Sequence, residues 1–226
     1  MTGSRVVKPK SGSTESEWFS VDIEARRAER DKLLAETETL KEEFLDLRLT
    51  RAYRESIARV RRIYDFVGEV EEIAVRNAVD ELNDWAMQSN APITIRLNSP
   101  GGDVFEGFML FDFIQDLKRD YGIQVITYAL GYAASMASIL LQAGDRRLIS
   151  RNSWFMVHEP SSLALGKASD IKDEAVILGK LHKQLVSILA ERSTLSVRQI
   201  LQRCHRKNWW MSAVEAVKYG FADELV

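Results

Sequence analysis

Ile93-Thr94-Ile95-Arg96-Leu97-Asn98-Ser99-Pro100-Gly101-Gly102 is the stretch that decides the fold. Apolar and polar residues alternate up to Asn98, with β-branched side chains among them, which is the pattern of a half-buried strand. Pro100-Gly101-Gly102 ends the strand, and from Val104 an apolar-periodic run to Tyr121 reads as a helix. A second strand is expected over 124–130. Strand, turn, helix, strand in that order is a crossover unit of a parallel sheet. The alternation continues outward. Upstream it predicts a strand over 63–68 and a helix over 71–88. Downstream it predicts a short apolar helix over 134–144, strands over 147–149 and 154–158, helices over 171–192, 196–206 and 211–219, and a terminal segment over 221–225. The expected class is α/β with much parallel pairing, and sites are expected in loops at the carboxyl ends of the strands.

The chain has 226 residues, 46% of them hydrophobic, and a formal net charge of -2, enough for one sizeable core plus an appendage. Near-neutral charge gives no reason to expect nucleic acid or a membrane surface as partner. No apolar run approaches a membrane span. Residues 1–17 are polar, rich in Ser, Lys and Gly, lack the apolar core of a secretory signal and are expected to be a disordered tail. Residues 18–61 are expected to form a charged helical arm free of Gly and Pro. Leu33, Leu40 and Leu47 repeat at seven there, with Phe44 between, and Leu49, Tyr53, Ile57 and Val60 continue an apolar stripe on a shifted face. The arm is open to two readings: a helix packed on its own domain, or an assembly arm or removable pro-segment. Residues 62–226 make the main domain. The single cysteine, Cys204, has no internal disulfide partner, so a cytosolic location is the default. His158, His182 and His205 show no metal-ligand spacing, and neither metal nor cofactor is expected.

Three segments carry chemistry. Ser99-Pro100-Gly101-Gly102 lies between a strand and a helix, where free amides can form an anion nest, although an ordinary turn would look the same. Gly131-Tyr132-Ala133-Ala134-Ser135-Met136-Ala137-Ser138 places a serine among small residues at a helix start, where backbone N–H groups can hold an oxyanion. Ser138 is the competing serine, one turn further in. Trp154-Phe155-Met156-Val157-His158-Glu159-Pro160 ends an apolar strand in histidine. His182 has Lys180 and Lys183 beside it and His205 lies in a basic run, so both read as solvated surface. His158 is then the best base for a nucleophilic serine.

Taken in order, Asn98-Ser99-Pro100-Gly101-Gly102, Gly131-x-Ala133-Ala134-Ser135-Met136, Met156-Val157-His158-x-Pro160 and Ser212-Ala213-x-Glu215-Ala216-x-x-Tyr219-Gly220 resemble the Clp protease proteolytic subunit over residues 62–226. Gly101-Gly102-Asp103-Val104-Phe105-x-Gly107 and Gly220-Phe221-Ala222-Asp223 look more like phage or prophage members, some of them head-maturation proteases. The ClpP-like resemblance implies a crotonase-like α/β fold, a superhelix of repeated β-β-α units with a protruding handle helix, for which 171–192 is the candidate. It implies serine endopeptidase activity on flexible or unfolded polypeptides. Ser135 would be the nucleophile, His158 the general base, and the amides of Gly102 and Met136 the oxyanion hole. Gly101 and Gly166 would flank the extended substrate. It also implies a homo-oligomer of heptameric rings, with an ATPase unfoldase as a candidate partner, in the cytoplasm (the host's, if phage-encoded).

The chain departs from the family pattern in places. The third member of the triad is an Asp before the Ser-Ala-x-Glu-Ala helix, and register puts Asn208 there. Three outcomes are open: Asn208 orients His158 in a slow enzyme, a carboxylate such as Asp173 or Asp223 substitutes, or the subunit is inactive and serves assembly. Segment 118–124 is expected to lengthen a surface loop, and 161–168 keeps only Gly166 of a Gly-rich substrate strand. A crotonase-fold acyl-CoA enzyme would share the fold without needing Ser135 and His158 in these motifs.

Overall fold

The computed structural model describes residues 15–163 and 165–226, with side chains described for 26–50, 61–163 and 165–226. The chain divides into two compact units, Met1–Ile57 and Ala58–Val226. Helix α1 spans Glu15–Arg61. Every described side chain from residue 26 to 50 is exposed. The first 14 residues of the expected tail lie outside the described residues.

The second unit is built on a seven-stranded sheet. Strands β1 (Ile63–Val67), β2 (Ile93–Ser99), β3 (Val125–Ala134), β4 (Arg146–Ile149) and β7 (Glu224–Leu225) lie side by side in the order β1-β2-β3-β4-β7, all parallel. Strand β5 (Trp154–Val157) joins β3 in parallel, and β6 (Trp209–Ser212) pairs antiparallel with β5. Strand β3 is the hinge of this arrangement. Its first half, at Ile126–Ala129, pairs with β4, and its second half, at Tyr132–Ala134, pairs with β5.

The sequence patterns explain the elements. In β2 the buried residues Ile93, Ile95, Leu97 and Ser99 alternate with half-buried Thr94, Arg96 and Asn98. Helix α2 (Glu72–Gln88) buries Val75, Ala78, Leu82 and Trp85, and α3 (Val104–Tyr121) buries Gly107, Leu110, Ile114 and Leu117. Both sets have the helical three-and-four spacing. Asp103 caps α3, its Oδ1 accepting from Phe105 N at 2.8 Å and Glu106 N at 3.0 Å. Gly122, at φ 64°, closes it. The long loop expected over 118–124 is therefore not formed: the helix continues to Tyr121 and only three residues lead into β3. Four more helices follow: α4 (Met136–Gln142), α5 (Ala168–Glu191), α6 (Val197–Cys204) and α7 (Ala213–Lys218). Helix α5 buries only Leu185, Val186 and Leu189, near its end, while Ile171, Val176 and Ile177 in its first half are exposed, as a protruding handle would be.

The helix expected over 211–219 is instead a strand followed by a helix. Trp209 of β6 meets the rings of Tyr219 and Phe221 edge-on at 5.5 and 5.8 Å, and Phe221 stacks on Phe155 of β5 at 5.1 Å. Burying these rings fixes β6 against β5; each buried aromatic contributes about 1.5–3 kcal/mol.

Candidate active site

The parallel register of β3 with β5 pairs Ala134 with Met156. The next residue on one strand is Ser135, and two residues on from Met156 is His158, so both leave the sheet at the same carboxyl edge. The Ser135 amide donates to Met156 O at 2.9 Å. Ser135 Oγ and His158 Nε2 are 2.7 Å apart.

Ser135 sits at φ 53°, ψ -122°, a conformation a non-glycine residue holds only when its surroundings impose it. Its surroundings do. Ser138 donates to the Ser135 carbonyl twice, from N at 3.0 Å and from Oγ at 2.6 Å. That spends the Ser138 hydroxyl and buries it. The turn between β3 and α4 thus presents one serine outward and uses the other as a clamp.

The Ser-Pro-Gly-Gly turn is seated directly against this serine. Buried Ser99 Oγ accepts from Gly101 N at 3.1 Å. Val70 N donates to Gly101 O at 2.8 Å, and Asp103 N donates to Val70 O at 2.8 Å. These bonds leave the Gly102 amide with no protein acceptor among the described residues. The Met136 amide, first in α4, is free in the same sense. The expectation that first-turn amides of α3 would also be free is not met, because Asp103 takes Phe105 and Glu106. Gly101, at φ 93°, has no room for a side chain: a Cβ there would lie 2.6 Å from Ser135 Cβ and 2.7 Å from Met136 N. Gly107 of α3 likewise lies against the Met136 side chain.

A cavity of about 330 Å³ opens here, lined by Gly101, Gly102, Ser135, Met136 and His158 and walled by His182, Leu185, Val186 and Leu189 of α5. Gly166 does not join them; it precedes α5, where Asp170 lies beside it. Residues 158–163 and 165–167 form no strand. Asn208 is exposed, lies outside the cavity lining and makes no hydrogen bond to His158. The structure therefore does not bring the expected third residue to the pair. Asp223 is committed elsewhere: its carboxylate accepts from Arg147 N at 2.8 Å and Nε at 3.1 Å and lies 3.5 Å from Arg192 Nη2. Asp173 is exposed on α5 and does not line the cavity.

His158 is half-buried, and burial lowers its pKa below the ordinary histidine value. Among the described residues no hydrogen bond reaches its Nδ1. The neighbouring carboxylate, Glu159, turns away: its Oε1 accepts from Arg206 N at 3.1 Å and is 3.2 Å from His205 Nδ1. The bond from the Arg206 amide, then the His205 ring, holds Glu159 below the usual carboxylate range.

His182 is not the solvated surface residue its lysine neighbours suggested. It is half-buried in the cavity wall, with Nε2 3.7 Å from buried Cys204 Sγ. Burial lowers its pKa, Glu159 opposes that, and His158 adds a further lowering. Burial raises the Cys204 pKa, which disfavours the thiolate that a nucleophilic cysteine needs. The signal was in the spacing: His182 stands three, four and seven residues before Leu185, Val186 and Leu189, on the buried face of α5.

Among the described residues no helix is long and apolar enough to cross a membrane. Two relatives from strains of Bacteroides fragilis, each named ATP-dependent Clp protease proteolytic subunit, are 40% identical to the chain over 136 residues. The aligned part covers 59% of this chain and 63% and 60% of the relatives, less than two thirds of their length. The family model for Clp protease matches residues 50–226, which takes in the sheet, the serine turn, the histidine and the handle helix. The chain belongs to the Clp protease family.

Proposed function

We propose that the chain is a serine endopeptidase that cleaves flexible or unfolded polypeptides, with Ser135 as nucleophile and His158 as general base. The observation that carries this reading is the 2.7 Å approach of Ser135 Oγ to His158 Nε2 beside two unengaged amides. His158, whose burial disfavours the charged form, accepts the hydroxyl proton as Ser135 attacks a peptide carbonyl. The Gly102 and Met136 amides stabilise the oxyanion, and donors placed in advance are worth about 10²–10³ in rate each. His158 then gives its proton to the leaving amine, and water, activated by the same ring, releases the acyl group. Gly101 seats the turn that borders the substrate. The relatives' name, ATP-dependent Clp protease proteolytic subunit, supports work as one subunit of an ATP-dependent protease; a homo-oligomeric ring fed by an ATPase is the arrangement we propose from the family resemblance.

Among the described residues no carboxylate bonds the His158 ring, which favours slow turnover over that of a full triad. An assembly subunit of weak or absent activity is the second reading, and this missing partner is what favours it. A serine-reactive fluorophosphonate separates the two: the purified chain takes up the probe at Ser135 under the first reading and stays unlabelled under the second.

Two results are expected from kinetics. The acid limb of kcat/KM, which reports the free enzyme's base, has its midpoint below about pH 6.5, because burial lowers the His158 pKa and the ring stays neutral to lower pH. A midpoint above that value would require a carboxylate paired with His158. Asn208→Ala changes kcat/KM by less than about twofold, as an exposed substitution without partners should; a loss of tenfold or more would restore Asn208 to the site.

A further inference from the structure

Helix α1 carries a seam that the proposed chemistry does not use. Leu33, Leu40 and Leu47 recur every seven residues, and Thr37 and Phe44 stand four residues after the first two. On a helix of 3.6 residues per turn these five share a strip roughly 80° wide. The strip is open: Leu33, Leu40, Phe44 and Leu47 are 58%, 65%, 62% and 66% exposed. Its two edges carry opposite charge. Glu29, Glu36 and Glu43 border one side, and Lys41 and Arg48 border the other. The Arg48 guanidinium lies 6.0 Å from the Phe44 ring, so its stem follows the seam.

We propose that α1 is a self-association arm whose seam pairs, parallel and in register, with the same seam on a second copy of this chain. The charge pattern selects both the occupant and the direction. In a parallel pair, the residue three after a core leucine, Glu36 after Leu33 and Glu43 after Leu40, faces the residue five positions further on in the other copy. Glu36 of one copy then meets Lys41 of the other, and Glu43 meets Arg48. An antiparallel pair would set the glutamate edges against each other and the basic edges against each other. Among the described residues, the ion pair within the helix that competes for Glu36 is with Lys32 Nζ at 3.9 Å, exposed and weak.

The test uses the full chain carrying Leu40→Cys or, as control, Glu38→Cys on the outward face. Native Cys204 is buried, so the new thiol alone is open to a mild oxidant. Parallel, in-register pairing puts the two copies' residue 40 side by side. Disulfide-linked dimer should form at least ten times faster at 40 than at 38. Adding Glu36→Lys and Glu43→Lys should slow it about tenfold, and further adding Lys41→Glu and Arg48→Glu should restore it. Circular dichroism confirms that each variant keeps its helix. Equal cross-linking at both positions would mean that the protease domains alone bring the arms together, and would overturn the proposal. No cross-linking at 40 in the folded chain would also overturn it, since the seam would then be covered within one copy or by another protein. Charge reversal without effect would remove the argument for direction.

Discussion

Ser135→Ala lowers kcat/KM for an extended fluorogenic peptide by about 10⁴-fold or more, and abolishes fluorophosphonate labelling of the chain. The size of the loss follows from what surrounds the serine. Ser138, the other hydroxyl of the turn, is buried and already donates to Ser135 O. The Cys204 thiol is buried, its pKa raised by that burial, and it lies against His182 rather than His158. Among the described residues, Ser135 is the hydroxyl hydrogen-bonded to the His158 ring. Alanine keeps the Cβ and the same backbone strain, so the thermal midpoint should move by no more than a few degrees. An active Ser135→Ala protein would place the nucleophile elsewhere and end the serine-peptidase reading. A wild type that folds but neither labels nor cleaves would leave the assembly reading in its place. His158→Ala should lower hydrolysis comparably, since Ser and His act as a unit and their losses are not additive.

The parts of the fold legible in the sequence were those whose local pattern and tertiary fate agree. Alternation in Ile93–Ser99 and three-and-four spacing in Val104–Tyr121 are consequences of one-sided burial, so they can be read from either direction. Strand β6 is not legible locally: the sequence predicts a helix over 211–219, and Ser212 and Glu215 do form a capping box that starts one. The box is real, but the helix it starts is short, and the two tryptophans before it are extended. Their strand exists only because β5 offers an edge four residues long, which is a tertiary fact. The serine and histidine segments could be found because each closes a strand of the same parallel sheet. Asn208 follows only from the register of the family motif, and the turn into β6 leaves it exposed. The lysines beside His182 suggest surface, whereas its spacing to Leu185, Val186 and Leu189 places it on the buried face of α5. The amide of Gly102 was legible as a candidate donor. The α3 amides, expected to be free, are taken by the Asp103 side chain at the cap position.

Gly101→Ala should cost the protein both stability and activity, and the pairing of the two is informative. The residue has φ 93°, and an added Cβ would meet Ser135 Cβ at 2.6 Å, Ala134 O at 2.7 Å and Met136 N at 2.7 Å. Two of these three contacts are backbone atoms of the serine turn, which no rotamer change can clear. Either the Ser-Pro-Gly-Gly turn or the serine turn must move. Strain plus overpacking comes to about 2–4 kcal/mol, a drop in Tm of roughly 5–15 °C for a domain of this size. Displacing the nucleophile from its base and from the Gly102 and Met136 amides should lower kcat/KM by about 10²-fold or more, as misplacements near 1 Å do. Gly122→Ala is the matched control. It also has a positive φ, 64°, but an added Cβ meets nothing within 4 Å. Backbone strain alone should then cost about 1 kcal/mol and leave kcat/KM within about twofold. If both variants lose stability and only Gly101→Ala loses activity, the contact with the serine turn, and not the strain, positions the nucleophile. If Gly101→Ala stays fully active, the two turns are not seated on each other as the oxyanion assignment requires. Gly102 and Met136 would then have to be given up as donors, even with Ser135 retained as nucleophile.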